Sequence, residues 1–203
     1  MSDLSAAQLR INEAAMQLFA KRGSAEISVS ELAGAAGVSR GTIYNNYPEF
    51  NRLFEDIAAR LATEMHARIA RAAKDISDPA EAVSDGIRHF VRRAHEEPEW
   101  GRFILRFAFS HGALRSMWEA QPAIDLRNGL EAGRFNFQPD QGPSVLAMIG
   151  GTGVSAILLV MEGHKAWREA GSNAAEFVLR ALGMEPDEAR AIATRELPPL
   201  PKQ

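Results

Sequence analysis

The stretch Ser39-Arg40-Gly41-Thr42-Ile43-Tyr44-Asn45-Asn46-Tyr47 gathers the side-chain types that read a polynucleotide. An arginine binds guanine through two parallel hydrogen bonds, an asparagine pairs the same way with adenine, and hydroxyls reach phosphate oxygens. On that chemistry Arg40 is a guanine reader, Asn45 and Asn46 are adenine readers, and Thr42, Tyr44 and Tyr47 are phosphate ligands. Gly41 leaves room for close approach to a base or to the backbone. A second stretch offers different chemistry. Gly151-Thr152-Gly153-Val154-Ser155-Ala156 fits the Gly-x-Gly-x-x-Gly/Ala spacing that cradles a dinucleotide, and Glu169 follows at a tolerable distance. The sequence has no cysteine, no Gly-x-Ser-x-Gly elbow, no Walker loop and no His-Glu-x-x-His. No pair of its five histidines has close ligand spacing. Neither a catalytic centre nor a metal site is expected, and no cofactor is implied.

The base-reading groups need a short, well-anchored helix, and the flanking residues supply one. Ser28-Val29-Ser30-Glu31 has the spacing of a capping box and opens a helix through Leu32, Ala33 and Ala36. Gly37 ends it, and Ser39 can cap a second helix running to Asn46. Two capped helices joined by Ala36-Gly37-Val38-Ser39 give a helix-turn-helix layout, whose second helix lies in the major groove. The stripe Ile11, Ala14, Ala15, Leu18 and Phe19, ending at Arg22-Gly23, would pack behind the pair. An ordinary helical hairpin with exposed polar residues shares this spacing.

The rest of the chain reads helical as well, so the expected fold class is all-α. Pro48 suits the first turn of a helix with Leu53, Phe54, Ile57, Leu61, Met65 and Ile69 on its apolar face. Further helices are expected from Pro79, from Pro98, over Leu114–Leu130 with a kink or split at Pro122, over about Ser144–Ala170, over Ala174–Leu182 and over Pro186–Arg195. With no alternation of strands and helices, the dinucleotide reading of Gly151–Ala156, which would make this an oxidoreductase, remains only an alternative. The 203 residues carry a formal net charge of −3, with 46% hydrophobic and 24% charged residues. That composition excludes a disordered or collagen-like chain and argues against non-specific coating of nucleic acid. No signal peptide is expected, and a cytoplasmic location is allowed. Ser144–Met161 is uncharged for eighteen residues, but its glycines and the lack of a cationic flank speak against a membrane span.

Residues 36–47, Ala-Gly-Val-Ser-Arg-Gly-Thr-Ile-Tyr-Asn-Asn-Tyr, closely resemble the signature of the TetR family of bacterial transcriptional regulators. The context agrees: Ala14 to Gly23, Ile27 to Ala33, and Leu53-Phe54, so the resemblance covers about residues 8–60. It implies a helix-turn-helix DNA-binding domain over 1–48, a helical effector-binding and dimerisation domain over 49–197, and a proline-rich tail over 198–203. It also implies a homodimer that binds a pseudo-palindromic operator and releases it when a small apolar or aromatic effector enters the body. A ligand-insensitive regulator is the alternative within this reading. Base readout falls on Arg40, Gly41, Tyr44 and Asn45, and phosphate or packing contacts on Thr42, Asn46 and Tyr47, with Ser39 also counted among the DNA-binding residues. Where the family commonly carries a lysine at the start of the fourth helix stands Phe50, and Arg52 is the nearest cation. The head is not basic: residues 1–74 hold nine cations (10, 21, 22, 40, 52, 60, 68, 71, 74) against eight acids (3, 13, 26, 31, 49, 55, 56, 64).

In the body, the aromatic-rich stretch makes Met65, Phe90, Val91, Trp100, Phe103, Ile104, Phe107, Phe109, Met117 and Trp118 the expected pocket lining, although plain core packing would use the same residues. His89, Arg102, Arg106 and His111 are positioned to orient a polar ligand atom or to face solvent. The resemblance places the dimer seam on the last two large helices. Gly150 and Gly153 would permit close helix approach there, while Ile157, Leu158, Met161, Phe177, Val178 and Leu182 supply apolar surface.

Overall fold

The computed structural model describes residues 4–110, 112, 114, 117 and 120–200. Among these it holds ten α-helices and no strand. The first three, α1 (Ala6–Arg22), α2 (Val29–Ala36) and α3 (Arg40–Asn46), form the head. Each starts where a serine offers its oxygen to an unpaired amide. Ser5 and Ser28 form full capping boxes with Gln8 and Glu31, and Ser39 Oγ accepts from Thr42 N at 3.1 Å. Gly23 and Gly37 close α1 and α2 in the left-handed region, at φ 68° and 62°, which only glycine adopts without strain.

The long helix α4 (Leu53–Ala72) starts later than Pro48 suggests. Pro48 and Glu49 form a bend, a 3-10 turn spans Phe50–Arg52, and the α-helix follows. Its N-terminus therefore lies at Leu53, with Glu55 and Asp56 already occupying the favourable acidic positions of its first turn. Six helices build the rest of the body: α5 (Pro79–Glu96), α6 (Pro98–Phe107), α7 (Gln121–Glu131), α8 (Gly142–Met161), α9 (Trp167–Ala181) and α10 (Pro186–Ala193). Proline sits in the first turn of α5, α6, α7, α8 and α10, where its missing N–H costs nothing. Pro122 thus opens α7 rather than kinking a longer helix.

The single helix expected over Ser144–Ala170 is two. Gly163 turns left-handed at φ 74°, the amides of His164 and Lys165 bond back to Leu159 O, and the chain re-enters a helix at Trp167. Helix α5 is the central post, packed by α6, α7, α8, α9 and α10. The segment Pro139–Met161 is long and apolar enough to cross a membrane, yet α8 packs against α5, α6, α7 and α9 as a body helix.

Head and body share one core. The rings of Phe19 on α1, Phe54 on α4, and Phe103 and Phe107 on α6 meet in a chain. Centroids lie 5.0 Å apart for Phe19–Phe54, 5.4 Å for Phe54–Phe103 and 4.9 Å for Phe54–Phe107. A buried ion network joins α4 to α5. Arg93 reaches Glu64 and Glu97 at 3.0 Å each, Arg68 reaches Glu97 at 3.1 Å, and the Arg93 guanidinium also stacks 4.7 Å from the Trp100 ring. The C-terminal strap lies along α5: Arg88 donates to the Arg195 carbonyl, Arg195 pairs with Glu81, and Leu200 is buried.

Candidate DNA interface, internal cavity and exposed apolar face

Helix α3 presents Arg40, Gly41, Tyr44 and Asn45 to solvent together, while Ile43 anchors the opposite face in the core. Tyr44 is 52% exposed, an unusual position for a large ring that has no partner to cover it. The side chains of Ser39 and Thr42 hydrogen-bond each other at 2.9 Å and fix the first turn, and the Asn46 amide donates to Thr42 O at 2.7 Å. For Tyr47 the structure shows the packing alternative and not the phosphate ligand. Its ring is buried and its hydroxyl donates to Asn12 Oδ1 on α1, so it braces α3 against α1 and has no hydroxyl left for a phosphate. Phe50 is half-buried against the core, and exposed Arg52 forms a loose pair with Glu49 at 3.4 Å. Glu31, which closes the capping box of α2, is held below the usual carboxylate range by hydrogen bonds to the Ser28 hydroxyl and amide and by Arg22.

The body contains a small, partly open cavity between α4, α5, α7 and α8, about 40 Å³ in volume. Among the expected lining residues only Phe90 and Met117 reach it. Met65, Val91, Trp100, Phe103, Ile104 and Phe107 are packed solid in the core with 0–3% exposure, so they hold helices together instead of facing the hole, and Phe109 is 55% exposed and does not line it. His111 and Trp118 lie outside the described residues. His89 is buried on α5. Burial, reinforced by the charges of Arg92, Arg88 and Arg68, pushes its imidazole down to about 4, so it stays neutral. Arg102 pairs with Glu99 at the surface, and neither Arg102 nor Arg106 lines the cavity.

Residues that the sequence did not single out complete the wall, notably His66, Gly86, Gln121, Asp125 and Ile149. Nε2 of His66 is buried with no hydrogen-bond partner among the described residues. The Gln121 amide donates to Asp125 Oδ1 at 2.8 Å, and burial nevertheless raises the Asp125 carboxyl above its usual range. The one available signal was size: Gly86, Ala82 and Gly153 are the small residues around which a void can form.

The seam residues divide in the same way. Gly150, Gly153, Ile157, Val178 and Leu182 are buried within this chain's own body and are closed to a partner, whereas Leu158 is 43% and Phe177 58% exposed. Met161 is half-buried and its sulfur lies against Gly101. Leu159 adds to the exposed face, and a shallow hollow lined by Phe177, Arg180, Ala181, Met184 and Pro186 continues it. Gly151–Ala156 lies inside α8, so its amides serve the helix rather than a phosphate loop, and no strand precedes it. That removes the dinucleotide reading. No group of three or more potential metal ligands occurs among the described residues.

Residues 11–57 match the bacterial regulatory proteins of the tetR family, and residues 78–195 match the tetracyclin repressor-like C-terminal domain. The chain belongs to the TetR family of transcriptional regulators. An uncharacterized HTH-type transcriptional regulator of Mycobacterium tuberculosis (strain H37Rv) is 32% identical over 89 residues, 44% of each chain, so the match spans less than half of that relative. RolR, solved in complex with resorcinol, is 27% identical, with 96% of each chain covered and a TM-score of 0.72. The fatty acid degradation regulator FadR from Bacillus halodurans is 18% identical. The match covers 91% of this chain and 100% of that one at a TM-score of 0.73, which shows the shared fold.

Proposed function

We propose that this chain is a ligand-responsive repressor that binds a pseudo-palindromic operator as a homodimer in the cytoplasm. The observation that carries the reading is the α3 face, where Arg40, Gly41, Tyr44 and Asn45 stand exposed together on a helix fixed by Ser39 and Ile43. A two-fold pair of such helices reads successive major grooves when they stand about 34–36 Å apart. Residues 1–48, with Arg52 just beyond them, carry the DNA contacts, and the rest of 49–197 carries the cavity and the exposed apolar face. A small apolar or aromatic effector in the cavity between α4, α5, α7 and α8 would bind one dimer geometry better than the other and so shift the population away from the operator-bound form. RolR, crystallised with resorcinol, supports an effector of that size. An open cavity favours this over a ligand-insensitive regulator. No catalytic role is assigned to any residue.

The test is selection of bound fragments from the host genome with the full chain, followed by fluorescence anisotropy on the recovered sites. Recovery of a two-fold symmetric sequence whose half-sites lie one helical turn apart is the expected result. Binding that shows no sequence preference overturns the reading.

A further inference from the structure

Among the described residues the cavity wall is apolar except for three side chains, and no described lysine or arginine lines it. An anionic ligand would meet Asp125 with no cation among the described lining residues to offset it, which disfavours carboxylates and phosphates. A cation fares little better. It would exchange its hydration shell for a single carboxylate, one oxygen of which is already held by Gln121. An uncharged hydroxyl suits the site. Asp125 retains an acceptor oxygen outside the Gln121 bond, and His66 Nε2 is a buried polar atom without a partner among the described residues. Phe90 and Met117 offer a ring face and a polarisable sulfur for an aromatic ring to pack on.

We propose that the cavity takes a small uncharged ring compound bearing hydroxyl groups, with one O–H donating to Asp125 and a second oxygen bonded to Nε2 of His66. The assignment rests on the effector reading above and adds the chemical class of the ligand. His66 lies on α4, the helix that runs on from the head, and Asp125 lies on α7, so the ligand would bridge these two helices.

Isothermal titration calorimetry of the full chain with resorcinol, benzoate and benzylamine tests it. Resorcinol should bind at least tenfold more tightly than either charged compound. Asp125→Asn and His66→Phe should each weaken resorcinol at least tenfold, and Ile149→Trp, which fills the hole, should abolish binding. Should a variant fail to fold, the ranking of the three compounds on the unaltered chain still decides. Benzoate or benzylamine binding as tightly as resorcinol overturns the assignment, as does resorcinol binding that is indifferent to Asp125 and His66, or no binding at all. Operator anisotropy separates the two levels. Release by benzoate that Ile149→Trp abolishes keeps the regulator and discards the ligand class. Resorcinol binding at the wild-type cavity without operator release keeps the ligand class and discards the coupling.

Discussion

Replacing Leu158 and Phe177 by glutamate should convert the proposed dimer into a folded monomer. Both side chains are exposed in the single chain, at 43% and 58%, so the body does not need them to fold. A phenylalanine carries about 200 Å² of surface, and 58% exposure leaves roughly 115 Å² of Phe177 for a partner to cover. At about 25 cal/mol per Å² that is about 3 kcal/mol, and two-fold symmetry doubles it to about 6 kcal/mol. Loss of 6 kcal/mol raises a dissociation constant by about 10⁴, before the added carboxylates repel one another across the axis. Sedimentation equilibrium at micromolar concentration should then give the 22.2 kDa chain mass in place of twice that value, with an unchanged circular dichroism spectrum. Operator affinity should collapse as well, because the second head no longer binds as a tethered neighbour. Ile157→Glu, by contrast, buries a charge at a site with 0% exposure and should unfold the body. The reasoning fails if the double variant still sediments as a dimer, or if Leu9→Glu, at an equally exposed leucine on the head, dissociates the wild-type dimer just as well.

Arg40→Ala removes the one cation of α3 and should weaken operator binding by roughly 1–3 kcal/mol per half-site while relaxing preference at one base pair. A profile over single-base variants that keeps its shape would take Arg40 off the reading face. Arg52→Ala should flatten the slope of log K against log salt by nearly two units for a dimer, at about 0.9 per phosphate contact. A slope untouched by Arg52→Ala but steepened by Phe50→Lys would mean that this phosphate has no contact in the native protein. The neutral His89 makes stability depend on pH. Its pKa falls from 6.5 when unfolded to about 4 when folded, so the unfolded chain binds the extra proton between those values. Stability is full above pH 6.5 and is lost as pH falls toward 4, by up to about 3 kcal/mol. Urea unfolding at pH 7, 5.5 and 4.5 should show the loss in the native chain and a smaller one in His89→Leu. Parallel curves would assign the acid sensitivity elsewhere.

The local features were legible because they are written within four residues of one another. The Ser28–Glu31 box, the Ser39 cap and the glycine ends at 23 and 37 each need only a short window of sequence, and each stands where its spacing put it. Contacts across the chain were not legible. Tyr47 looks like any exposed tyrosine of a recognition helix until Asn12, 35 positions earlier, takes its hydroxyl. The cavity escapes the sequence for a physical reason: bulky aromatics fill space, and a hole opens where Ala82, Gly86 and Gly153 leave it. Periodicity marks the apolar stripe of α4 but not which edge of it meets a void, so Met65 was chosen where His66 faces the hole. The adjacent pair Ile157 and Leu158 repeats the lesson. One helical step of 100° separates a core residue from an exposed one.

The aromatic chain of Phe19, Phe54, Phe103 and Phe107 bears on how such a regulator can be rebuilt. A chimera made by grafting the first 48 residues onto a foreign body would look conservative in an alignment, because the cut falls in a bend at Pro48. It would nonetheless separate Phe19 from the ring of Phe54, 5.0 Å away on the far side of the cut. A hybrid biosensor that keeps both specificities must therefore transplant matched rings on α1, α4 and α6 together with the recognition helix. Mismatched grafts should still bind operator, but with heads that no longer feel what occupies the body.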